Sequence, residues 1–174
     1  MANFAIMGFG TVGSGVAEVL RMNGASIAEK LGESLTLKYI LDVRDLSASP
    51  YASLVVKDFA LLEGDPELDV VVESIGGARV ALDFTRRALL AGKHVVTSNK
   101  ELVATHGKEL LAIAREKNVN YLFEASVGGG IPIIRPLSQC LAANEILEIY
   151  GILNGTTNYI LTRMIRAGLT FDAA

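Results

Sequence analysis

The chain has 174 residues, 51% hydrophobic and 20% charged, and its 16 basic and 19 acidic side chains leave a net charge of −3. At about 100–200 residues per domain, this length predicts one domain, or one plus part of another, without need of disulfide or metal staples. With no Lys/Arg block, only 6% aromatics and no apolar run near the ~20 residues of a bilayer span, nucleic-acid and membrane partners are disfavoured.

The N-terminus, "MANFAIMGFG", has no basic region ahead of an apolar stretch, so no secretory leader is expected and the protein reads as soluble and cytoplasmic. Short β-type runs then alternate with longer helical patterns, the signature of a parallel α/β sheet. "NFAIMGF" (3–9) is a first strand, and Thr11 to about Leu31 is a helix with Val12, Val16, Val19 and Leu20 on one face. "LTLKYILDV" (35–43) is a second strand, and "ASLVV" (52–56) a short third. "LDVVVESIGG" (68–77) is continuously apolar, as parallel strands buried on both faces are. The helix "ARVALDFTRRALLAG", capped by Gly92, precedes the strand "HVVTS", the helix "KELVATHGKELLAIAREKN" and the strand "VNYLFEAS" (119–126).

Composition changes at "VGGGIPII" (127–134), where three consecutive glycines and a proline suit a hinge or a tightly bent backbone. A helix to about Ala143, a strand "EILEIYGIL" (145–153), a turn "NGTTN" and a helix "YILTRMIRAG" ending at Gly168 are expected beyond it. The lone Cys140 cannot form an intramolecular disulfide, fits a reducing cytosol, and at helical spacing among apolar residues reads as core packing. "LTFDAA" looks like a one-turn helical start with Thr170 as N-cap, too short to persist alone. Because the strand 145–153 has no obvious sheet of its own to join, the chain is expected to be a fragment.

"GFGTVG", Gly8 to Gly13, is a GxGxxG placed directly after strand one and opening helix one. Gly8 suits a tight turn, Gly10 the close approach of a pyrophosphate, and Gly13 contact between helix and strand. The N–H groups of Phe9, Thr11 and Val12 lie beside them at a helix N-terminus that favours anions. This context predicts a Rossmann-type doubly wound parallel sheet binding NADP or NAD. "LDVRD" at the end of strand two offers Asp42, Arg44 and Asp45, with Asp42 further beyond Gly13 than the usual ~20 residues because helix one is extended. An acid there would bind a ribose hydroxyl and favour NAD; Arg44 could pair with the 2′-phosphate of NADP, or with Asp45 as a solvated strand-end charge.

Three segments together resemble the homoserine dehydrogenase family: "VVVESIGG", "GKHVVTSNKEL", and "FEASVGGGIPIIRPL" leading to "GILNGTTNYIL". The resemblance covers essentially the whole chain and implies interconversion of aspartate 4-semialdehyde and homoserine. It implies an NAD(P)-binding domain over 1–128 and, over 129–174, the beginning of a mixed α/β substrate and dimerisation domain, giving a homodimer at full length. It also implies that Gly76, Thr97, Ser98 and Lys100 reach the coenzyme. Lys100 would act catalytically, orienting the semialdehyde oxygen or stabilising the developing alkoxide. Main-chain carbonyls of Glu124, Val127, Gly129 and Ile131 would surround sodium, and Gly155 and Thr156 would touch the amino-acid substrate. The family's proton-donating lysine and substrate carboxylates follow position 174, so little or no turnover is expected of these residues alone. Glu73 reads as a carboxylate held by nearby backbone N–H groups, and neither His94 nor His106 has partners at metal-ligand spacing.

Overall fold

The computed structural model describes residues 2–152 and 154–174. It divides the chain into two compact units, Met1–Ile131 and Pro132–Ala174, a division three residues beyond the expected 128/129.

In the first unit the apolar runs become β1 (Ala2–Met7), β2 (Leu35–Leu41), β3 (Val55–Val56), β4 (Val70–Glu73), β5 (His94–Thr97) and β6 (Tyr121–Leu122). All pair in parallel, in the order β3-β2-β1-β4-β5-β6. The order reverses beside β1, the first strand laid down, so β1 and β4 diverge there into connections on opposite faces. Alternation along β1 feeds both layers. Phe4 and Ile6 join Ile40 and Ala17 on the face of α1 (Thr11–Leu31). Ala5 and Met7 join Val71, Val95, Leu89, Leu102 and Leu110 on the face of α3 (Arg79–Leu90) and α4 (Lys100–Glu116).

Three local departures from the sequence pattern have physical causes. The face that α1 buries is Gly13 and Ala17, flanked by Val16 and Leu20, while Val12 and Val19 are half-exposed. Small residues face the sheet because the helix lies close to it. The expected strand 119–126 stops at Leu122, and its end winds into α5 (Glu124–Val127). A one-turn helix, α2 (Ala60–Glu63), has no periodic signal but buries Leu62.

The second unit diverges further. The helix expected to run to Ala143 is a π-helical turn, Pro136–Cys140, and Cys140 is exposed rather than packed in a core. Residues 145–152 form no strand, and Leu153 of the expected strand lies outside the described residues. A strand is defined by a ladder partner, and among the described residues this segment has none. "NGTTN" is not a free turn: Asn154 caps α6 (Gly155–Ala167), its side chain accepting from the Thr157 N–H at 2.8 Å. Gly168, at φ +64°, closes that helix as expected.

This packing predicts a sharp asymmetry between layers. Leu110→Ala, at a fully buried position, should cost about 2–5 kcal/mol in denaturant unfolding. Met22→Ala, on the exposed side of α1, should stay within about 0.5 kcal/mol.

Candidate functional site at the strand ends

The loop leaving β1 is shaped by contacts that only glycine permits. Gly8 adopts φ +87°, and a Cβ there would stand 2.8 Å from the Ser74 carbonyl oxygen. A Cβ on Gly13 would meet the Gly8 carbonyl oxygen at 2.0 Å, so helix and loop touch backbone to backbone. Gly10 is the opposite case: its Cβ direction is open, with nothing within 4 Å. The first helical hydrogen bond of α1 runs from the Ser14 N–H to the Gly10 carbonyl at 2.9 Å. The N–H groups of Gly10, Thr11, Val12 and Gly13 precede it and lack helical acceptors, at the positive end of a 21-residue helix. The Phe9 N–H is committed elsewhere, donating to Asp42 Oδ2 at 2.7 Å, while its buried ring packs edge-on against Tyr51.

Asp42 is the brace of this end. Its two oxygens take the Phe9 N–H, the Arg44 N–H at 2.9 Å, and the Arg44 guanidinium at 3.0 Å (Nε) and 2.8 Å (Nη2). The guanidinium hydrogen bonds hold the Asp42 carboxyl far below the usual carboxylate range, against the opposing effect of burial. Arg44 therefore pairs with Asp42 and not, as the sequence also allowed, with Asp45. Its outer side remains exposed. Lys57 stands beside it, its ammonium donating to the carbonyls of Asp42 and Arg44. A cleft of about 450 Å³ opens between these cations and the loop, lined by Gly8, Gly10, Leu41, Asp42, Val43, Arg44, Lys57, Ser74, Ile75, Gly76, Val80 and Phe84.

Beyond the Ile75–Gly76 wall lie the ends of β4 and β5. Glu73 and Thr97 are paired in register and both fully buried. The Thr97 hydroxyl donates to Glu73 Oε2 and accepts the Asn99 N–H at 2.9 Å; Glu73 Oε1 accepts the Ile75 N–H at 2.7 Å. Burial pushes the Glu73 carboxyl above its ordinary value, partly offset by these donors. Asn99 caps α4 through its Oδ1, and its amide donates to the carbonyls of Ile75 at 3.1 Å and Gly77 at 2.8 Å. Thr97 thus offers no free hydroxyl. Ser98 is half-buried, and Lys100 is exposed at the first position of α4, with no ion pair among the described residues.

The remaining expected residues are not among those that line the cleft. Glu124 and Val127 bound α5, and the Glu124 carbonyl already accepts the Gly128 N–H at 3.0 Å. The loop folds back so that the Ile131 carbonyl oxygen is 2.4 Å from where a Gly128 Cβ would stand. Gly129 and Ile131 are exposed. Gly155 and Thr156 open α6 in the second unit, also exposed. Lys57 and Ser74 were not anticipated, nor was the capping role of Asn99. Asn99 carried a readable signal, an N-cap residue immediately before a helix; Lys57 and Ser74 enter only through tertiary contact. Among the described residues no helix is long and apolar enough to cross a membrane, and no three His, Cys, Asp or Glu side chains group as a metal site.

The strand order, the glycine cradle at its reversal and the adjoining cleft define the Rossmann class of dinucleotide-binding domains. Residues 8–124 match the family model for the homoserine dehydrogenase NAD-binding domain, and residues 132–174 match that for homoserine dehydrogenase. The chain belongs to the homoserine dehydrogenase family. It is 42% identical over 172 residues to the homoserine dehydrogenase of Neisseria gonorrhoeae, covering 97% of this chain and 39% of that protein. A crystal structure of a homoserine dehydrogenase from Thiobacillus denitrificans superposes with a TM-score of 0.92 at 41% identity, over 99% of this chain and 40% of that one. A hyperthermophilic archaeal homoserine dehydrogenase in complex with NADPH gives 0.84 at 29% identity, over 99% and 58%. The chain spans about two fifths of the length of the curated relatives it matches.

Three predictions follow from the geometry. Gly13→Ala should destabilise the fold by about 1–3 kcal/mol through overpacking. Gly10→Ala, at an ordinary φ of −74° with open space, should cost under about 1 kcal/mol yet weaken dinucleotide binding at least tenfold; calorimetry with a thermal melt separates the two. For Asp42, the folded carboxyl holds its proton less tightly than the unfolded one, so the unfolded state gains protons first on acidification. The stability this group contributes is present above its unfolded pKa of about 4 and is lost as pH falls below it. Acid unfolding of Asp42→Asn should lack that increment.

Proposed function

We propose that this chain is the coenzyme-binding part of an NAD(P)-dependent homoserine dehydrogenase, acting on aspartate 4-semialdehyde and homoserine in amino-acid biosynthesis. The observation that carries the reading is the open face of Gly10 beside four unmatched N–H groups, an anion cradle at the mouth of a cleft. When bound, the coenzyme supplies or receives a hydride. In this reading Gly8, Gly10, Thr11, Val12 and Gly13 hold the pyrophosphate, Phe9 fixes the loop through Asp42, and Gly76 forms the cleft wall. Ser98 and Lys100 serve the nicotinamide end. Lys100 orients the carbonyl oxygen of the aldehyde and lowers the energy of the negative charge that develops there. Its lack of a carboxylate partner among the described residues leaves that charge unneutralised.

We further propose NADP as the preferred coenzyme. Asp42 is saturated by Arg44 and the Phe9 N–H and is a poor acceptor for a ribose 2′-hydroxyl. Arg44 and Lys57 instead give the cleft two cations at one end, suited to a 2′-phosphate. Gly155 and Thr156 are assigned to the amino-acid substrate, and carbonyls of Glu124, Val127, Gly129 and Ile131 to a sodium ion. A cytoplasmic homodimer is the expected setting of the whole protein.

Arg44→Ala should weaken NADP by at least tenfold while leaving NAD within about twofold in calorimetric titration. Equal losses for the two coenzymes would refute the preference.

A further inference from the structure

The most deeply buried ionisable side chain at the strand ends, Glu73, has no part in the proposed chemistry, yet one of its oxygens is bonded within the turn that follows it, at Ile75, and the other across to Thr97, where the neighbouring turn begins. We infer that Glu73 is a positioning residue, which through Thr97 and Asn99 sets the β5–α4 turn against the β4–α3 turn and so fixes Ser98 and Lys100 at the nicotinamide end. The inference rests on the coenzyme-binding reading above.

The geometry is a closed circuit. One carboxylate oxygen takes the Ile75 N–H, tying Glu73 to the turn that continues into the cleft wall at Gly76. The other takes the Thr97 hydroxyl, whose oxygen in turn accepts the Asn99 N–H. Asn99 completes the loop by donating its amide to the carbonyls of Ile75 and Gly77. A backbone bond from the Ser98 N–H to the Glu73 carbonyl at 3.3 Å lies alongside. Ser98 thus sits between two residues immobilised by the circuit, and Lys100 follows the residue that caps its helix.

The choice of groups is informative. An apolar pair would pack β4 against β5 without the desolvation penalty that a buried carboxyl carries. A carboxyl group presents acceptor lone pairs on both oxygens, and here two donors, the Ile75 N–H and the Thr97 hydroxyl, take one oxygen each, while the Thr97 oxygen accepts the Asn99 N–H one step on. Such a circuit fixes the angle between two turns, which packing alone would not. Burial, and after it the nearby Glu73 carboxyl, push the Tyr121 phenol on β6 well above its ordinary value, and its hydroxyl is buried without a hydrogen-bond partner among the described residues. It therefore does not compete for the carboxylate.

The effect should be confined to the half of the ligand that reaches past the Ile75–Gly76 wall. The test compares NADP with 2′-phospho-ADP-ribose, which has the same adenine end and pyrophosphate but no nicotinamide, by calorimetry on the full 174-residue chain. Thr97→Val, which breaks the circuit without adding a charge, and Glu73→Gln, which turns an acceptor into a donor facing Thr97, should each weaken NADP about tenfold. Both should leave 2′-phospho-ADP-ribose within about twofold. Thr97→Ser, which keeps the hydroxyl, should restore NADP binding. If Glu73→Gln fails to fold, the Thr97 pair alone decides. Equal weakening of the two ligands, or no weakening of either, overturns the inference and makes Glu73 an ordinary structural group. If the unsubstituted chain binds neither ligand, the coenzyme-binding reading itself fails, a result that no variant could produce.

Discussion

Backbone contact without side chains, at the reversal of the sheet, is the constraint on which this structure depends. Gly13 of α1 presses on the Gly8 carbonyl, and Gly8 on the carbonyl of Ser74 at the end of the neighbouring strand. Those two approaches bring the helix N-terminus down to the sheet, and Ser74 secures them with a hydroxyl bond to the Gly8 carbonyl at 2.7 Å. The N–H groups of the first turn are left without helical acceptors, and Gly8 and Gly10 line the cleft. Gly10 is the one member of the motif whose missing side chain leaves open space, and that space is what a ligand can use.

Around this contact, two buried carboxylates act as internal braces of different character. Asp42 meets a guanidinium and two backbone N–H groups and is held as an anion. Glu73 meets only neutral donors in a fully buried setting, which favours its protonated form relative to an exposed glutamate. Their contributions to stability accordingly respond to pH with opposite sign. Asp42 orders the end of the cleft where Arg44 and Lys57 stand; Glu73 orders the adjoining turns after β4 and β5, the second of which carries Ser98. A fold that supplies the anion cradle from backbone alone leaves its charged side chains to set the position of the loops around it.

Much of this was legible in the sequence because local pattern and global fold agree over most of the first unit. The glycine spacing after "NFAIM" and the continuous apolarity of "VVVES" each dictate one geometry, and α1 begins and ends where its pattern does. The polar turn after β5 was visible as a cluster, but its internal wiring was not. Sequence cannot say that Thr97 spends its hydroxyl on Glu73, or that Asn99 reaches back across the sheet, because both bonds join residues more than twenty positions apart. Lys57 was invisible because its bonds to the Asp42 and Arg44 carbonyls are tertiary contacts that no local pattern marks. The pattern misled most in residues 145–152, where an apolar, β-type run suggested a strand but no ladder partner is available among the described residues. Strand propensity expresses fit to a neighbouring strand, and without one it specifies little.

The central claim is that the first turn of α1 grips a diphosphate through its own amides. Titrating isotope-labelled chain with NADP while following backbone amide NMR signals tests it most directly. The account predicts the largest shifts at Gly10, Thr11, Val12 and Gly13, with Phe9 less affected because its N–H stays on Asp42. Saturating NADP and NAD that leave those four amides unmoved would contradict it.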